Sequence, residues 1–159
     1  MTSTYLSFMV CDELFGVNVI KVLEVLQMQH ITNVPNAPDY IKGIINFRGD
    51  VVPVFESRVK FNLPEREVTE QYVIIVLDLS KGSDVFRLGA IVDRVKDVIS
   101  IDNQEIKPVP AMSNEFNANF LHGIYKQQEN FIMLLDVEKV FTGKELSAIK
   151  ETNAVEENV

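Results

Sequence analysis

At 159 residues the chain has room for one ordinary domain, or two small subdomains around a shared core, and none for a large multidomain enzyme. Apolar residues make up 47% and charged residues 24%, with a mean hydropathy of +0.08, a balance that excludes wholesale disorder. A net charge of −8 argues against the wide basic face that nucleic acid requires. Cys11 is the one cysteine, so an internal disulfide is excluded and a reducing, cytoplasmic setting is expected. Residues 1–5 lack the basic and apolar regions of a secretion signal, and the longest apolar runs are far too short to span a bilayer. Neither secretion nor direct membrane insertion is expected.

Taken in chain order, most segments read as strands. Residues 5–10 are aromatic and branched, Asp12 and Glu13 suit a turn, and residues 14–17 complete a first hairpin. Val19, Val22, Leu23 and Leu26 fall at i, i+3, i+4 and i+7, which predicts a short helix with Asn18 as N-cap and with Lys21 and Glu24 on its polar side. Residues 43–47 and 51–55 form a second hairpin around Arg48, Gly49 and Asp50, with Gly49 free to take a positive φ. Pro53 cannot donate to a ladder, which places its strand at an edge or beside a bulge. Between Lys42 and Lys60 lies the one locally positive stretch, Lys42, Arg48, Arg58 and Lys60 standing against Asp50 and Glu56.

A polar connector near residues 61–71 separates two β-rich halves. Further strands are expected at 72–79, 85–92, 95–99, 120–125 and 131–135, with hairpin turns at 81–84 and 127–130 and a long loop over 103–119. A second helix is expected after Asp136, through Val137, Val140 and Phe141, with 144–150 continuing helically and 151–159 forming a polar, frayed tail. No convincing sequence repeat is visible, although each half holds a glycine-centred strand pair. Eight or nine short strands at this spacing suggest one or more small barrels.

No catalytic constellation stands out. His30 and His122 lie in unlike contexts without a zinc-binding spacing, and the seven glycines form no phosphate cradle. Neither a metal nor any other cofactor is expected. Asp93 and Asp136 each close an apolar strand; as a buried acid pair they would offer general acid–base chemistry, while acids in such places more commonly cap turns. Arg48-Gly49-Asp50 matches a cell-adhesion tripeptide by letters but reads more simply as a hairpin turn.

The run Phe15-Gly-Val-Asn-Val-Ile-Lys-Val-Leu-Glu-Val25, then Ile31-Thr-Asn-Val-Pro-Asn-Ala-Pro38, then Tyr40-Ile-Lys-Gly-Ile-Ile-Asn-Phe-Arg-Gly49, strongly resembles the CheW family of chemotaxis coupling proteins. Gly89-Ala-Ile-Val-Asp-Arg-Val95, Ile106-Lys-Pro-Val-Pro110, Phe120-Leu-His-Gly-Ile124 and Met133-Leu-Leu-Asp136 resemble its later blocks in order, so the likeness covers roughly residues 5–141. It implies a mainly β fold of two five-stranded SH3-like barrels sharing a hydrophobic interface, with short helices, over residues 1–150. It also implies a non-catalytic adaptor that couples the cytoplasmic tip of a methyl-accepting chemoreceptor to the regulatory domain of the histidine kinase CheA.

Carried over position by position, the receptor contact would involve Val22, Glu24, Gly43 and Arg48, whereas no kinase-binding residues are assigned. On the chain's own terms Val22 reads equally as core or groove floor, and Gly43 as a backbone requirement more than a contact. Arg48 lies in the positive stretch, where a guanidinium fork suits an acidic or amide-rich partner. Phe47 stands where the family usually has Leu, and Glu56-Ser57-Arg58 where it usually has Asp-Leu-Arg; both departures bear on receptor preference more than on fold. Alternatives are a fragment of a CheV-like scaffold, whose receiver domain finds no room here, and a small β-barrel hydrolase using Asp93 or Asp136.

Overall fold

Alternation along the strands decides the architecture. In β1 (Thr2–Val10), Leu6, Phe8 and Val10 face one way and Tyr5 the other. β2 (Glu13–Asn18) returns antiparallel, setting Phe15 opposite Phe8. A one-turn 3-10 segment (Val19–Lys21) leads into β3 (Val22–Gln27); β4 (Ile41–Phe47) and β5 (Asp50–Glu56) form a hairpin that runs into the one-turn helix α1 (Ser57–Lys60). Then come β6 (Val73–Asp78), β7 (Arg87–Val92), β8 (Arg94–Asp102), β9 (Leu121–Gln127), β10 (Asn130–Leu135) and helix α2 (Gly143–Glu157). The computed structural model describes residues 1–64, 71–110 and 120–157, the last seven by backbone alone. Parts of the expected connector and of the expected 103–119 loop therefore lie outside the described residues.

The strands make two five-stranded sheets, ordered β8-β1-β2-β10-β9 and β3-β6-β7-β5-β4. Three apolar clusters follow. Tyr5, Leu14, Ile101, Ile132 and Leu134 fill the first barrel, while Ile45, Val52, Val54, Ile74, Val76 and Ile91 fill the second. The opposite faces meet in a shared core containing Leu6, Phe8, Phe15, Phe55, Ile75, Leu77, Leu88 and Phe141. Ile74 and Val76 thus point into a barrel, and Ile75 and Leu77 into the interface, which is why this strand is apolar at every position. The expected pair of SH3-like barrels with a hydrophobic interface describes this arrangement.

The barrels are not the two halves of the chain. Each sheet takes strands from both sides of the connector, and shifting every strand number by five turns the order of one sheet into that of the other. Details repeat as well. β2 pairs in parallel with β10, as β7 does with β5. The Thr32–Ile44 bridge joins the stretch after β3 to β4, and Lys107–Ile124 joins the stretch after β8 to β9. Beside these bridges stand Gly43 and Gly123, where a Cβ would lie 2.1 Å from the Thr32 carbonyl oxygen and 2.9 Å from that of Lys107. With this alignment in hand, Gly16, Val19, Lys21, Val22, Glu24 and Val25 correspond to Gly89, Val92, Arg94, Val95, Asp97 and Val98. The repeat missed in the linear sequence is real but interleaved in space.

Three local expectations need correction, and one open alternative is decided. The helix expected over Val19–Leu26 is a 3-10 turn followed by a strand. A register shift between Val22 and Glu24 lets Val22 pack on the shared core while Leu23 and Leu26 pack into the second barrel, so a bulged strand satisfies the same apolar spacing as a helix. Asn18 does cap that turn, its Oδ1 accepting from the Ile20 N–H at 3.0 Å. Of the two alternatives for Pro53, the bulge holds and the edge does not: β5 is interior, between β7 and β4, a register shift lies in the facing strand between Ile41 and Gly43, and the parallel ladder to β7 begins one residue later at Val54.

Residues 137–141 form turns rather than a helix, with Asp136 Oδ1 accepting from the Glu138 N–H at 3.2 Å. The helix begins later because Thr142 and Glu145 make a reciprocal capping box, with bonds of 2.8 and 3.1 Å. It continues to Glu157 through residues read as a frayed tail. Ile149, fully buried in the shared core, and the ion pairs Lys60–Glu145 (2.8 Å) and Lys150–Asp84 (2.9 Å) dock it.

Candidate functional site

Sites on this molecule are built at the edges of sheets. β3 and β4 are the two outer strands of the second sheet, and the curl of that sheet brings them back towards each other. Glu24 lies on β3; Arg48 lies at the tip of the β4–β5 hairpin, where Arg48 and Gly49 adopt φ of 53° and 88°, the conformation of a two-residue hairpin turn. The Asn46 Oδ1 accepts from the Gly49 N–H at 2.9 Å and holds the turn closed. Across the seam Arg48 Nη2 donates to Glu24 Oε1 at 2.8 Å, with the two side chains 60% and 42% exposed. The guanidinium also lies over the Phe47 ring, 4.7 Å from its centroid.

The four residues expected at a contact surface therefore play unequal parts. Glu24 and Arg48 are brought together as one exposed ion pair. Val22 is half-buried against the shared core, at the margin between its two readings. Gly43 acts through backbone: a side chain there would strike the Thr32 carbonyl oxygen and break the bridge that closes the barrel next to β4.

The positive stretch dissolves on folding. Arg48 pairs with Glu24, Lys60 with Glu145, and Asp50 with Arg87 at 2.8 Å. Arg58 is completely buried, donating to Glu56 at 3.1 Å and to Asp93, with its guanidinium 4.2 Å from the Tyr72 ring centroid. Burial by itself pulls the Arg58 pKa down, but Glu56 and Asp93 outweigh it and leave the group above its ordinary value. Lys42 is left exposed and without an ion pair among the described residues. Charge counted along the chain overstated the local field, because the neutralising acids Glu24, Asp93 and Glu145 come from elsewhere in sequence.

The candidate catalytic acids are otherwise engaged. Asp93 is the counter-ion of a buried guanidinium, and Asp136 caps a turn while lying 3.9 Å from Lys139. No group of three His, Cys, Asp or Glu side chains among the described residues is placed to hold a metal ion. Nor is any helix among them long and apolar enough to cross a membrane.

Comparison with known proteins accounts for this fold. The CheW-like domain model matches residues 4–145. The chain belongs to the CheW-like domain family. The chemotaxis protein CheW of Klebsiella aerogenes is 33% identical over 145 residues, covering 91% of this chain and 85% of that protein. Its Treponema pallidum counterpart is 28% identical over 147 residues, covering 90% and 84%. Among solved structures, the scaffolding protein TtCheW from Thermoanaerobacter tengcongensis superposes with a TM-score of 0.79 at 30% identity, covering 91% of this chain and 96% of that one. This CheW-like chain is a chemotaxis scaffold, a member of a family of non-catalytic adaptors.

Its two departures from the family pattern have structural homes. Phe47, 3% exposed, fills the second barrel and gives Arg48 an aromatic platform. Ser57 borders a void of about 20 Å³ in the shared core, lined by Phe8, Phe55, Phe61, Leu135 and Phe141, and its hydroxyl has no hydrogen-bond partner among the described residues. Among the ion pairs that escaped the sequence reading are Arg58–Asp93 and Lys21–Glu138, the latter at 2.8 Å. Spacings of 35 and 117 residues left no local signal for either.

Proposed function

We propose that this chain couples the cytoplasmic tip of a methyl-accepting chemoreceptor to the regulatory domain of the histidine kinase CheA, working in the cytoplasm by binding alone, without cofactor or nucleic acid. The observation that carries the receptor side is the exposed Glu24–Arg48 pair, which joins both edges of the second sheet at one seam. An acidic or amide-rich receptor tip would meet a guanidinium that lies over Phe47 and is paired with Glu24, leaving its remaining N–H groups to donate. Preorganisation of this kind lowers the ordering cost of association. Val22 and Gly43, the other two residues of the expected contact, lie on the same two edge strands, β3 and β4.

A three-component pull-down with a receptor signalling tip and a kinase regulatory domain tests the coupling. Arg48→Glu places two carboxylates against each other across the seam and is expected to abolish receptor capture while circular dichroism and kinase capture stay at wild-type levels. Receptor capture by that variant at the wild-type level would remove Arg48 from the contact.

A further inference from the structure

The chain crosses between barrels twice, from β2 to β3 and from β7 to β8, and each crossing starts beside the end of a parallel neighbour. Where β7 leaves the second barrel, Asp93 is held by Arg58, which follows β5. Where β2 leaves the first barrel, Lys21 is held by Glu138, which follows β10. Arg58 and Glu138 stand two residues beyond the corresponding acids Glu56 and Asp136. A clasp thus recurs at each crossing with its charges exchanged: Arg58 and Glu138 are equivalent in the repeat, while Asp93 and Lys21 stand one position out of step, Lys21 matching Arg94.

The Lys21–Glu138 clasp stands at the root of β3. Lys21 closes the 3-10 turn, and Val22 and Glu24 follow at once on a strand that among the described residues has only β6 as a ladder neighbour. Glu138 is the firm side of the pair. Its N–H is bound to Asp136, the Asp136 N–H donates to the Phe120 carbonyl at 2.8 Å, and its neighbours Val137 and Val140 are buried in the shared core. Its carboxyl is held below the ordinary glutamate range, first by the hydrogen bond from Lys21.

We infer that Glu138 is a positioning residue for the partner-binding surface: through Lys21 it ties the root of β3 to the first barrel and so sets where Val22 and Glu24 stand against Arg48. This rests on the function proposed above, because β3 matters to binding only if the Glu24–Arg48 seam is the receptor contact. The role makes the first barrel part of a surface that the second barrel displays.

The test uses the full chain and three variants, Lys21→Glu, Glu138→Lys and the charge-exchanged double variant, with receptor-tip affinity read by calorimetry and the Val22–Gln27 amides by heteronuclear NMR. Each single variant is expected to lose about three- to fivefold in affinity, the range of an exposed pair, and to move the β3 amide resonances. The double variant is expected to recover both readouts. Single variants with unmoved β3 amides overturn the inference, whatever their affinity. So does a double variant no better than the worse single, which would mark Lys21 or Glu138 as a direct contact instead. A wild-type chain that fails to bind the receptor tip defeats the functional reading, while the amide shifts still decide whether Glu138 positions β3.

Discussion

The two crossings between barrels use the same device under opposite conditions. Arg58 is fully buried and Asp93 only 16% exposed, whereas Lys21 and Glu138 are 32% and 41% exposed. Burial makes the first clasp costly to break, because loss of either partner strands a charge in a low-dielectric interior. Exposure makes the second cheap to form and cheap to open, since water and salt screen it. The same topology therefore holds one crossing as part of the core and leaves the other adjustable, and the adjustable one feeds the strand that carries Glu24.

Removing the buried partner should give the largest effect. Arg58→Ala leaves Glu56 and Asp93 facing each other without a cation and is expected to cost about 3–5 kcal/mol in chemical denaturation. A loss under about 1 kcal/mol would erase the contrast between the clasps. Next come the glycines that close each barrel. Gly43→Ala would drive a Cβ to 2.1 Å from the Thr32 carbonyl oxygen, while at Gly123 the nearest backbone atom, the Lys107 carbonyl oxygen, would lie 2.9 Å away. Gly43→Ala is therefore expected to destabilise by about 2–3 kcal/mol and Gly123→Ala by less, measured side by side. Equal losses would mean that the barrels close with equal stringency.

The smallest effect is the most local. Lys21, with Lys81 contributing less, holds the Glu138 pKa below its ordinary value of 4.5. A depressed folded pKa stabilises the native state above the unfolded value, and that contribution is lost as pH falls through the folded one. Acid titration is thus expected to shift the β3 amides below pH 4.5 and to leave those of β7, beside the buried clasp, in place until global unfolding. Simultaneous movement of both strands would show that the exposed clasp has no independent behaviour.

Much of this was legible in one dimension. Alternating and continuous apolar runs located nearly every strand, Gly49 marked its turn, and the blocks around Gly16, Gly43 and Gly89 pointed to the family. The failures share a cause. Val19–Leu26 offered an apolar spacing that both a helix and a bulged strand satisfy, and only packing against two different cores chose between them. Pro53 left an edge and a bulge open, and only the assembled sheet chose an interior strand beside a bulge. The positive stretch was a true count of charges and a poor guide to potential, because Glu24, Asp93 and Glu145 reach it only in the folded chain.

By itself the sequence determined which faces are apolar, where the chain turns, and which residues line up with the family's contact motif. Tertiary structure alone decided that the barrels interleave, that Glu24 and Arg48 meet, and that the end of β10 anchors the start of β3. The reason is physical. Side-chain periodicity is set by neighbours a few residues away, whereas strand pairing and ion pairing depend on which distant segments the burial of a common core brings side by side.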